Sequence, residues 1–482
     1  MKKMLKFWAT VAAGLLALWG VLRFYDFGFA NNDGLLADID LNVMLGYLLT
    51  LVGLLAAATL ATKSRFEWVT NVAASLSSLL FFWVLAEIIC FALIRLGITD
   101  APKPFHSRLL LNENWSTNWT QFWGDISPVF GRWRLPQATM RLPICTDDTT
   151  TLNSNRFGMR DAERTLANPS GKRRAVFVGD SFVEGYLVNA PQRYSNLLEA
   201  QTGLEHLNFG INGTSPINYY LTYDSLVRQF GHDLVVITLL PANDFEDYDE
   251  SQKLGLLRYP IYRPYWRGEF PNVSLAYSLS DIRQSIASPN NYHQPKRVQR
   301  TVDSLYQTLG FGQKLVAEIQ LNSYLYSSAL YWASRQHSGG GAAGQERLLA
   351  LPNSYAQETF ESRWPALEYS LTKLLKAAEG KKVILVGMPI LSDLQNYDQK
   401  RKDDLSPRLL TLCQRFGATY LNLLPAFHAL GEKGWSRLYV ACDGHFSSKG
   451  EQKVAEIILQ NPAYREAMGL NDVKVVTESV TK

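Results

Sequence analysis

Three long apolar runs fill most of the first hundred residues of this 482-residue chain, at residues 7–24, 41–62 and 68–96. Each is long enough to cross a bilayer as a helix, which takes about 20 predominantly apolar residues. Runs of this length seldom follow one another in a soluble domain, so a set of core helices is the weaker interpretation. We therefore predict a membrane domain over residues 1–97 that contains three transmembrane helices.

The charges between these runs predict the orientation of the membrane domain. Lysines precede the first run, Lys63 and Arg65 separate the second from the third, and four aspartates lie between the first and the second. The positive-inside bias then places the amino terminus and the second loop in the cytoplasm. Three crossings put everything after Gly97 on the periplasmic, extracytoplasmic side of the cytoplasmic (inner) membrane. Cleavage of the first run as a signal peptide, the alternative interpretation, leaves that placement unchanged.

One charged residue, Glu87, lies inside the third run. A charge within a membrane span is costly unless it is paired or hydrated. We therefore expect Glu87 to face a partner helix or an aqueous cavity.

Composition narrows the functional classes. The chain is 47% hydrophobic and 19% charged, which is typical of globular and membrane material rather than of disorder. Its net charge of +4 includes no basic block interleaved with aromatic residues, so we predict no nucleic-acid partner. Because His and Cys do not cluster at ligand spacings, we predict no metal site, and no cofactor is indicated.

The cysteines are sparse. Cys90 lies in the third apolar run, whereas Cys145, Cys413 and Cys442 are predicted to lie in an oxidising compartment. Either one pair of these three is bridged and the third is free, or all three are unpaired buried thiols. Cys442 directly precedes Asp443, a candidate site residue.

From Arg174 onward, short apolar segments alternate with helical patterns. The predicted strands cover residues 175–178, 204–209, 234–240, 383–386 and 419–424. The predicted helices cover residues 192–202, 218–230, 364–378, 407–416 and 449–459. Strands separated by helices indicate an α/β fold, in which a parallel sheet is covered by helices on both faces and the crossovers are right-handed.

The segments around this pattern define the domain organisation. Residues 98–150 are a Trp-rich connector, which we expect either to lie against the membrane surface or to pack as a collar on the next domain. Residues 151–161 are predicted to be a polar loop. The α/β domain then covers residues 151–465, and residues 466–482 form a C-terminal tail.

An insertion interrupts the α/β domain at about residues 246–350. The third and fourth strands are separated by about 140 residues, far more than an ordinary crossover requires. The insertion contains an aromatic, Arg-bearing segment at residues 259–270 and a helical pattern at residues 313–334. We interpret it as a lid, whose aromatic segment either stacks on sugar rings or packs on the core.

The first strand ends at Gly179-Asp180-Ser181. This places Ser181 at the carboxyl edge of the sheet, where open α/β sheets bind ligands. The sequence is not the nucleophile elbow G-x-S-x-G, because Val183 stands at the second glycine. Taken alone, the tripeptide also fits an ordinary strand-to-helix turn with a capping side chain.

Three further blocks follow later strands in order: N-F-G-I-N-G with Gly210, P-A-N-D with Asn243, and D-G-H with Asp443 and His445. Acyl transfer needs a nucleophile, a base and an orienting acid, which Ser181, His445 and Asp443 supply. The predicted oxyanion hole consists of the Ser181 and Gly210 backbone N–H groups and the Asn243 amide. Taken alone, the block with Asn243 also fits an ordinary turn, Gly210 fits a loop glycine, and His445 fits a surface or capping histidine. Their joint order at strand ends favours a catalytic site.

This combination resembles the SGNH (GDSL-type) hydrolase superfamily. Its four signature residues, followed by the triad acid, correspond to Ser181, Gly210, Asn243, His445 and Asp443. The resemblance extends over about residues 153–459 apart from the insertion. It implies a flavodoxin-like three-layer α/β/α sandwich with a parallel sheet. The N-R-F-G-M-R-D segment before the first strand resembles membrane-anchored bacterial members.

Two positions depart from the superfamily pattern. Pro241 stands where the third block usually has glycine, which alters the local backbone but leaves the Asn243 amide. Asp443 precedes His445 by two residues, where many members have three. This spacing resembles polysaccharide O-acetylation and deacetylation proteins, which implies a glycan substrate.

The predicted function is that of an extracytoplasmic serine esterase or O-acetyltransferase. It acts on acyl esters, with O-acetyl as the expected group, of a cell-surface glycan or exopolysaccharide. Hydrolysis and transfer share an acyl-enzyme and differ only in the acceptor, so the sequence leaves both open. The resemblance implies a membrane-bound acyltransferase or a polysaccharide export complex as partner. Two alternatives remain: a lipid esterase, and a non-catalytic scaffold or glycan-binding subunit of a membrane polysaccharide assembly complex.

Overall fold

The computed structural model of the protein describes most of the chain. The described residues are 2–29, 35–36, 39–61, 67–96, 98–99, 124–134, 136–144, 149–245, 263–277, 310–312, 314, 319, 323–337, 348–400 and 402–470.

The chain forms two compact units. The first contains three segments: Met1–Phe122, Leu256–Tyr259 and Gln294–Gln336. The second contains the remaining three: Trp123–Gly255, Pro260–His293 and His337–Lys482. Parts of the predicted insertion therefore belong to the N-terminal unit. The domain boundaries predicted at residues 97, 150 and 465 stay predictions.

The helices and strands are numbered in chain order. The helices are α1 (Lys2–Phe29), α2 (Leu41–Ala61), α3 (Glu67–Arg95), α4 (Ser181–Glu184), α5 (Tyr194–Thr202), α6 (Pro216–Ser225), α7 (Pro241–Asp244), α8 (Tyr324–His337), α9 (Gln357–Phe360), α10 (Trp364–Ala377), α11 (Leu391–Lys400), α12 (Leu405–Arg415), α13 (Leu423–His428), α14 (Glu432–Trp435), α15 (Ser448–Gln460) and α16 (Pro462–Met468). The strands are β1 (Leu35–Leu36), β2 (Ile39–Asp40), β3 (Gly124–Ser127), β4 (Gly131–Arg134), β5 (Thr139–Pro143), β6 (Thr149–Asn153), β7 (Arg174–Val178), β8 (Glu205–Asn208), β9 (Leu234–Leu239), β10 (Pro264–Glu269), β11 (Asn272–Tyr277), β12 (Lys382–Gly387) and β13 (Thr419–Asn422).

The N-terminal unit is built on α1, α2 and α3, which follow the three apolar runs. The Trp8 indole N–H, near the start of α1, donates to Thr59 Oγ1, near the end of α2, at 2.8 Å. The Ser77 hydroxyl of α3 donates to the Leu54 carbonyl of α2 at 3.2 Å. These contacts make sequential helices antiparallel neighbours, as the short connections require.

Two helices of the described chain are long and apolar enough to cross a membrane, over Lys6–Gly28 and Glu67–Ile94. The middle helix has a shorter apolar part, Met44–Leu60. The first candidate lies near the amino terminus, where a signal sequence has the same character. The helices therefore form where predicted, but three transmembrane spans are not confirmed.

The second unit is organised around one five-stranded sheet with the strand order β13-β12-β9-β7-β8. All neighbouring strands are parallel. In the central strand β7, Val176 pairs with Leu207 of β8 on one side and with Val235 of β9 on the other. Counted along the chain, the order is 2-1-3-4-5, which is the flavodoxin-like doubly wound topology. Its switch point lies between β7 and β9.

Helices cover both faces of this sheet. Every residue of β7 and β9 is buried, which requires cover on each side. α5 packs with α15, and α6 packs with α10. The Tyr194 N–H at the start of α5 donates to Glu451 Oε2 of α15 at 2.9 Å. The predicted α/β fold with a parallel sheet is confirmed.

The predicted strand boundaries differ from the observed ones by at most two residues. The largest difference is in the last strand, which was expected to reach residue 424 but ends at Asn422. Asn422 instead caps α13, since its side-chain oxygen accepts from the Leu424 N–H at 3.0 Å. A side chain that caps a helix start ends the strand there.

Two hairpins, β3–β4 and β5–β6, lie in segments predicted to be connector and polar loop. In β6, Thr150 and Leu152 are buried and their neighbours are not, which is the alternation of a half-buried strand. A third hairpin, β10–β11, overlaps the aromatic segment of the insertion. The helix expected at residues 313–334 is described as α8, and residues 313, 315–318 and 320–322 lie outside the described residues.

Candidate active site

The turn after β7 presents Ser181 at the first position of α4. Asp180 caps this helix, because its Oδ1 accepts from the Phe182 N–H at 2.9 Å. Gly185 ends the helix in the left-handed region, at φ +67°. A Cβ at Gly179 would overlap the Val183 side chain, so the turn can close only on glycine. The same turn therefore caps α4 through Asp180 and places Ser181 at the start of that helix.

Three predicted side chains meet at this turn. His445 Nε2 lies 2.8 Å from Ser181 Oγ. His445 Nδ1 contacts Asp443 Oδ1 through a short hydrogen bond. Gly444 between them has φ +93°, and its N–H donates to the Val440 carbonyl at 2.8 Å. A hydroxyl, an imidazole and a carboxylate in this order have the geometry of an activated nucleophile.

Two aromatic rings hold the imidazole of His445. The ring centroids of Phe182 and Tyr186 lie 5.1 Å and 5.3 Å from its centroid. Burial raises the pKa of Tyr186, so its phenol stays neutral at physiological pH. The sequence prediction did not include either residue. Both lie within five positions after Ser181, and this closeness in sequence is the signal that could have placed them near the candidate site.

The predicted oxyanion donors lie next to the nucleophile turn, but two of them are paired within the protein. The Asn243 amide nitrogen donates to Asp180 Oδ2 at 3.1 Å, and the buried Asn243 Oδ1 has no hydrogen-bond partner among the described residues. The Gly210 N–H donates to Asn208 Oδ1 at 3.1 Å. The Ser181 N–H is the first of α4, where a helix supplies no acceptor of its own. The Asn243 amide carries a second N–H, whereas an oxyanion would have to replace Asn208 as the partner of the Gly210 N–H. The oxyanion assignment stays a prediction.

Gly210 is held against α4 at close range. A Cβ on residue 210 would overlap the Glu184 backbone nitrogen and the Val183 side chain. The loop after β8 can therefore approach the nucleophile helix only with glycine at this position. The Ile211 N–H continues the approach by donating to the Gly179 carbonyl at 3.0 Å.

A buried ion pair between Arg134 and Glu184 also holds the loop after β8. Arg134 Nε lies 2.9 Å from Glu184 Oε1, and both side chains are almost fully buried. Arg134 Nη2 also donates to the Gly210 carbonyl through a short contact. Glu184 Oε2 accepts from the Asn212 N–H at 2.7 Å. The pair thus binds the backbone on each side of Ile211.

Electrostatics keep this pair charged. Burial alone would raise the pKa of Glu184, but the charges of Arg134 and Arg160 outweigh it, so the pKa lies below its usual value. Burial lowers the pKa of Arg134, and the Glu184 carboxylate opposes that shift. Burial and the neighbouring Arg193 lower the pKa of Arg160 to about 9. The site is therefore supported by ionised groups that the sequence prediction missed.

The hairpin β3–β4 brings Arg134 to the site. Trp133 of this hairpin is buried, and its indole N–H donates to the Phe157 carbonyl at 2.8 Å. The Asn218 side chain donates to the Phe130 carbonyl at 2.7 Å. The segment Gly124–Arg134 of the Trp-rich connector thus packs on the α/β unit. The choice between a collar and a membrane-surface segment for the whole connector stays a prediction.

Cys442, next to Asp443, is disulfide-bonded. Cys90 and Cys413 are free thiols. Three unpaired thiols at positions 145, 413 and 442 are therefore excluded, and Cys145 itself lies outside the described residues. Burial raises the pKa of Cys413 to about 12, which makes this thiol unreactive.

In the part of the chain that the structure describes, no group of three or more His, Cys, Asp or Glu side chains could hold a metal ion.

Comparisons with known proteins give weak similarities. No protein-family model matches the chain, and no curated protein sequence matches it significantly. Among solved structures, it is similar to a lipase/acylhydrolase from Enterococcus faecalis, with 14% identity and a TM-score of 0.30, over 62% of this chain and 96% of that one. It is also similar to a carbohydrate esterase family 2 enzyme from Corynascus thermopiles (Myceliophthora fergusii), with 13% identity and a TM-score of 0.28, over 67% and 71%. TM-scores this low carry no argument about this protein.

Proposed function

We propose that the protein is an SGNH-type serine esterase or acyltransferase. The observation that carries the proposal is the hydrogen-bonded series from Ser181 Oγ to His445 Nε2, at 2.8 Å, and from His445 Nδ1 to Asp443. A binding protein has no need of a hydroxyl activated in this way.

The proposed reaction proceeds through an acyl-enzyme. Ser181 Oγ attacks the ester carbonyl while His445 takes the hydroxyl proton, and Asp443 stabilises the imidazolium. The C–O bond to the alcohol then breaks, and His445 protonates the departing alkoxide. Water, or a sugar hydroxyl, attacks the acyl-enzyme in the reverse sequence and releases Ser181. Donors at Ser181, Gly210 and Asn243 would stabilise the oxyanion of both tetrahedral intermediates.

We propose O-acetyl esters of a cell-surface glycan or exopolysaccharide as the substrate, outside the inner membrane. Three features support this. The D-x-H spacing resembles polysaccharide O-acetylation proteins, and Cys442 is disulfide-bonded, as is typical of oxidising compartments. The 21 residues of α2 include no charged residue, which fits a third crossing. A membrane-bound acyltransferase or an export complex is the proposed partner.

Turnover of p-nitrophenyl acetate by the detergent-solubilised full-length protein tests this proposal. We expect Ser181→Ala to abolish turnover, whereas Ser274→Ala, at an exposed serine of β11, retains it. Acetylated sugar formed when oligosaccharides are added would identify a transferase, and a lysophospholipid added instead tests the lipid alternative. Wild type no faster than Ser181→Ala, in folded protein, would exclude an acetyl esterase.

A non-catalytic glycan-binding subunit is the second candidate. It is favoured by the internal hydrogen bonds of the Gly210 N–H and of one N–H of the Asn243 amide, since both groups are expected oxyanion donors. In that case wild type and Ser181→Ala would show the same background turnover and would be retained equally by an immobilised glycan.

A further inference from the structure

The carboxylate of Glu87 is bound by the start of another helix. Glu87 lies within the apolar part of α3, Glu67–Ile94. Its Oε2 accepts from the backbone N–H groups of Tyr324, at 2.8 Å, and Leu325, at 3.1 Å. Its Oε1 accepts from the Ser323 hydroxyl through a short hydrogen bond. Glu87 therefore faces a partner helix, one of the two environments that the sequence predicts.

These donors belong to the first turn of α8, whose N–H groups have no acceptor within the helix. Ser323 caps the same turn, since its Oγ accepts from the Tyr326 N–H at 2.9 Å. A negative charge at a helix start is also favoured by the helix dipole. The carboxylate and the helix start thus satisfy groups that would otherwise be unpaired in an apolar setting.

Apolar contacts extend this junction along α3. Tyr324 and Ile94 form a small buried cluster, against which Cys90 and Phe91 pack. The Tyr324 and Phe91 rings meet edge to face, with centroids 5.1 Å apart. Since a helix rises 1.5 Å per residue, Glu87 lies about 10 Å from Ile94 along α3. The start of α8 therefore lies beside the last two turns of the apolar stretch.

Two aromatic side chains near this junction are exposed to solvent. Trp332 is 52% exposed, although Ser327 and Ser328 of the same helix are buried. Phe311, in the same part of the insertion, is 88% exposed. Trp and Tyr side chains are favoured at the boundary between lipid headgroups and acyl chains.

We propose that α8 is inserted into the membrane beside α3, with Glu87 as its anchor and Trp332 in contact with phospholipid. This inference rests on the proposed membrane anchoring and is independent of the proposed chemistry. The ligand is the headgroup and acyl-chain boundary of a bilayer, and the anchor is a carboxylate that binds the start of an inserted helix. The part of the insertion that contains α8 is thereby a membrane-binding element.

Tryptophan quenching by lipid tests the insertion. The full-length protein is reconstituted into phosphatidylcholine vesicles whose acyl chains carry bromine, and Trp332→Phe is compared with wild type. We expect the substitution to remove part of the quenchable emission, whereas Trp8, Trp19 and Trp83 of α1 and α3 stay quenched. If Trp332→Phe removes only unquenched emission, α8 lies outside the bilayer. If no tryptophan is quenched, the membrane anchoring itself is wrong and the inference fails with it.

Substitution of Glu87 tests the anchor. We expect Glu87→Leu to eliminate the quenching of Trp332. That quenching is measured as the difference in quenched emission between the Glu87→Leu variant and the double variant Glu87→Leu, Trp332→Phe. Glu87→Gln retains a carbonyl acceptor and should retain most of the quenching. The control is Glu67→Leu, at the exposed first turn of the same helix, which should leave quenching unchanged. Undiminished Trp332 quenching in Glu87→Leu would contradict the anchoring role.

Discussion

The position of one imidazole determines whether Ser181 can act as a nucleophile. His445 contacts the Ser181 hydroxyl through Nε2 and Asp443 through Nδ1. The Phe182 and Tyr186 rings restrict the other orientations of the imidazole. Asp443 therefore selects the tautomer that can accept the serine proton.

Asp443→Asn should lower kcat by about 10³- to 10⁴-fold with little change in KM, because the amide favours the wrong imidazole tautomer. The measurement is steady-state turnover of p-nitrophenyl acetate. Asp224→Asn is the control, since Asp224 forms a solvent-accessible pair with Arg228. A kcat within threefold of wild type in Asp443→Asn would show that the carboxylate does not orient the base.

Ser181, Gly210 and Asn243 could be placed near one another from the sequence because each comes just after a predicted strand, and the ends of parallel strands share one edge of the sheet. Asp443 and His445 come after α13 and α14 rather than at the end of β13, so their proximity to Ser181 depends on how that segment packs. The support from Arg134 and Glu184 could not be located in this way. Fifty positions separate these residues, and their pairing depends on where the hairpin β3–β4 packs. No local pattern encodes such a contact.

At the scale of the elements, the hairpin β3–β4 connects two parts of the candidate site. It supplies Arg134, which binds Glu184 of α4 and the Gly210 carbonyl of the loop after β8. Two elements that carry predicted site residues are therefore joined through one guanidinium. The strands themselves were predictable from their apolar runs, whereas the short hairpins have weak alternation and fell in segments interpreted as connector and loop.

Glu184→Gln should destabilise the protein by about 3–5 kcal/mol, because it leaves the Arg134 charge buried without its partner. It should also lower kcat, because the pair holds the loop that carries Gly210 at the Asn212 N–H and the Gly210 carbonyl. Thermal unfolding and turnover are the measurements. Glu358→Gln, which breaks an exposed pair with Lys402, should cost less than about 1 kcal/mol.

A second substitution separates these effects. Adding Arg134→Met to Glu184→Gln removes the unpaired charge, so stability should recover in part while kcat stays low. Full recovery of kcat in the double variant would mean that the pair does not position the loop.

At the scale of the whole molecule, the chain combines an N-terminal unit of apolar helices with an α/β unit. The insertion could be recognised from its length alone. Its partition between the two units could not, because it depends on contacts such as Glu87 with Ser323, which are 236 positions apart. In the proposed membrane topology, the number of crossings decides on which side the α/β unit lies.

Alkaline phosphatase fusions test the proposed three crossings. A fusion after Thr99 should be active, because the enzyme folds only outside the cytoplasm, and a fusion after Arg65 should be inactive. An inactive fusion after Thr99, together with stable protein, would mean an even number of crossings and a cytoplasmic α/β unit. In that case the extracytoplasmic substrate proposed above would be excluded.

Covalent capture of Ser181 tests the central claim most directly. A p-nitrophenyl phosphonate traps an activated serine irreversibly, and mass spectrometry of peptides locates the adduct. The account predicts a label on Ser181 in the wild-type protein, none in Ser181→Ala, and much slower labelling in His445→Ala. An unlabelled wild-type protein that is folded, or equal labelling rates in wild type and His445→Ala, would contradict it.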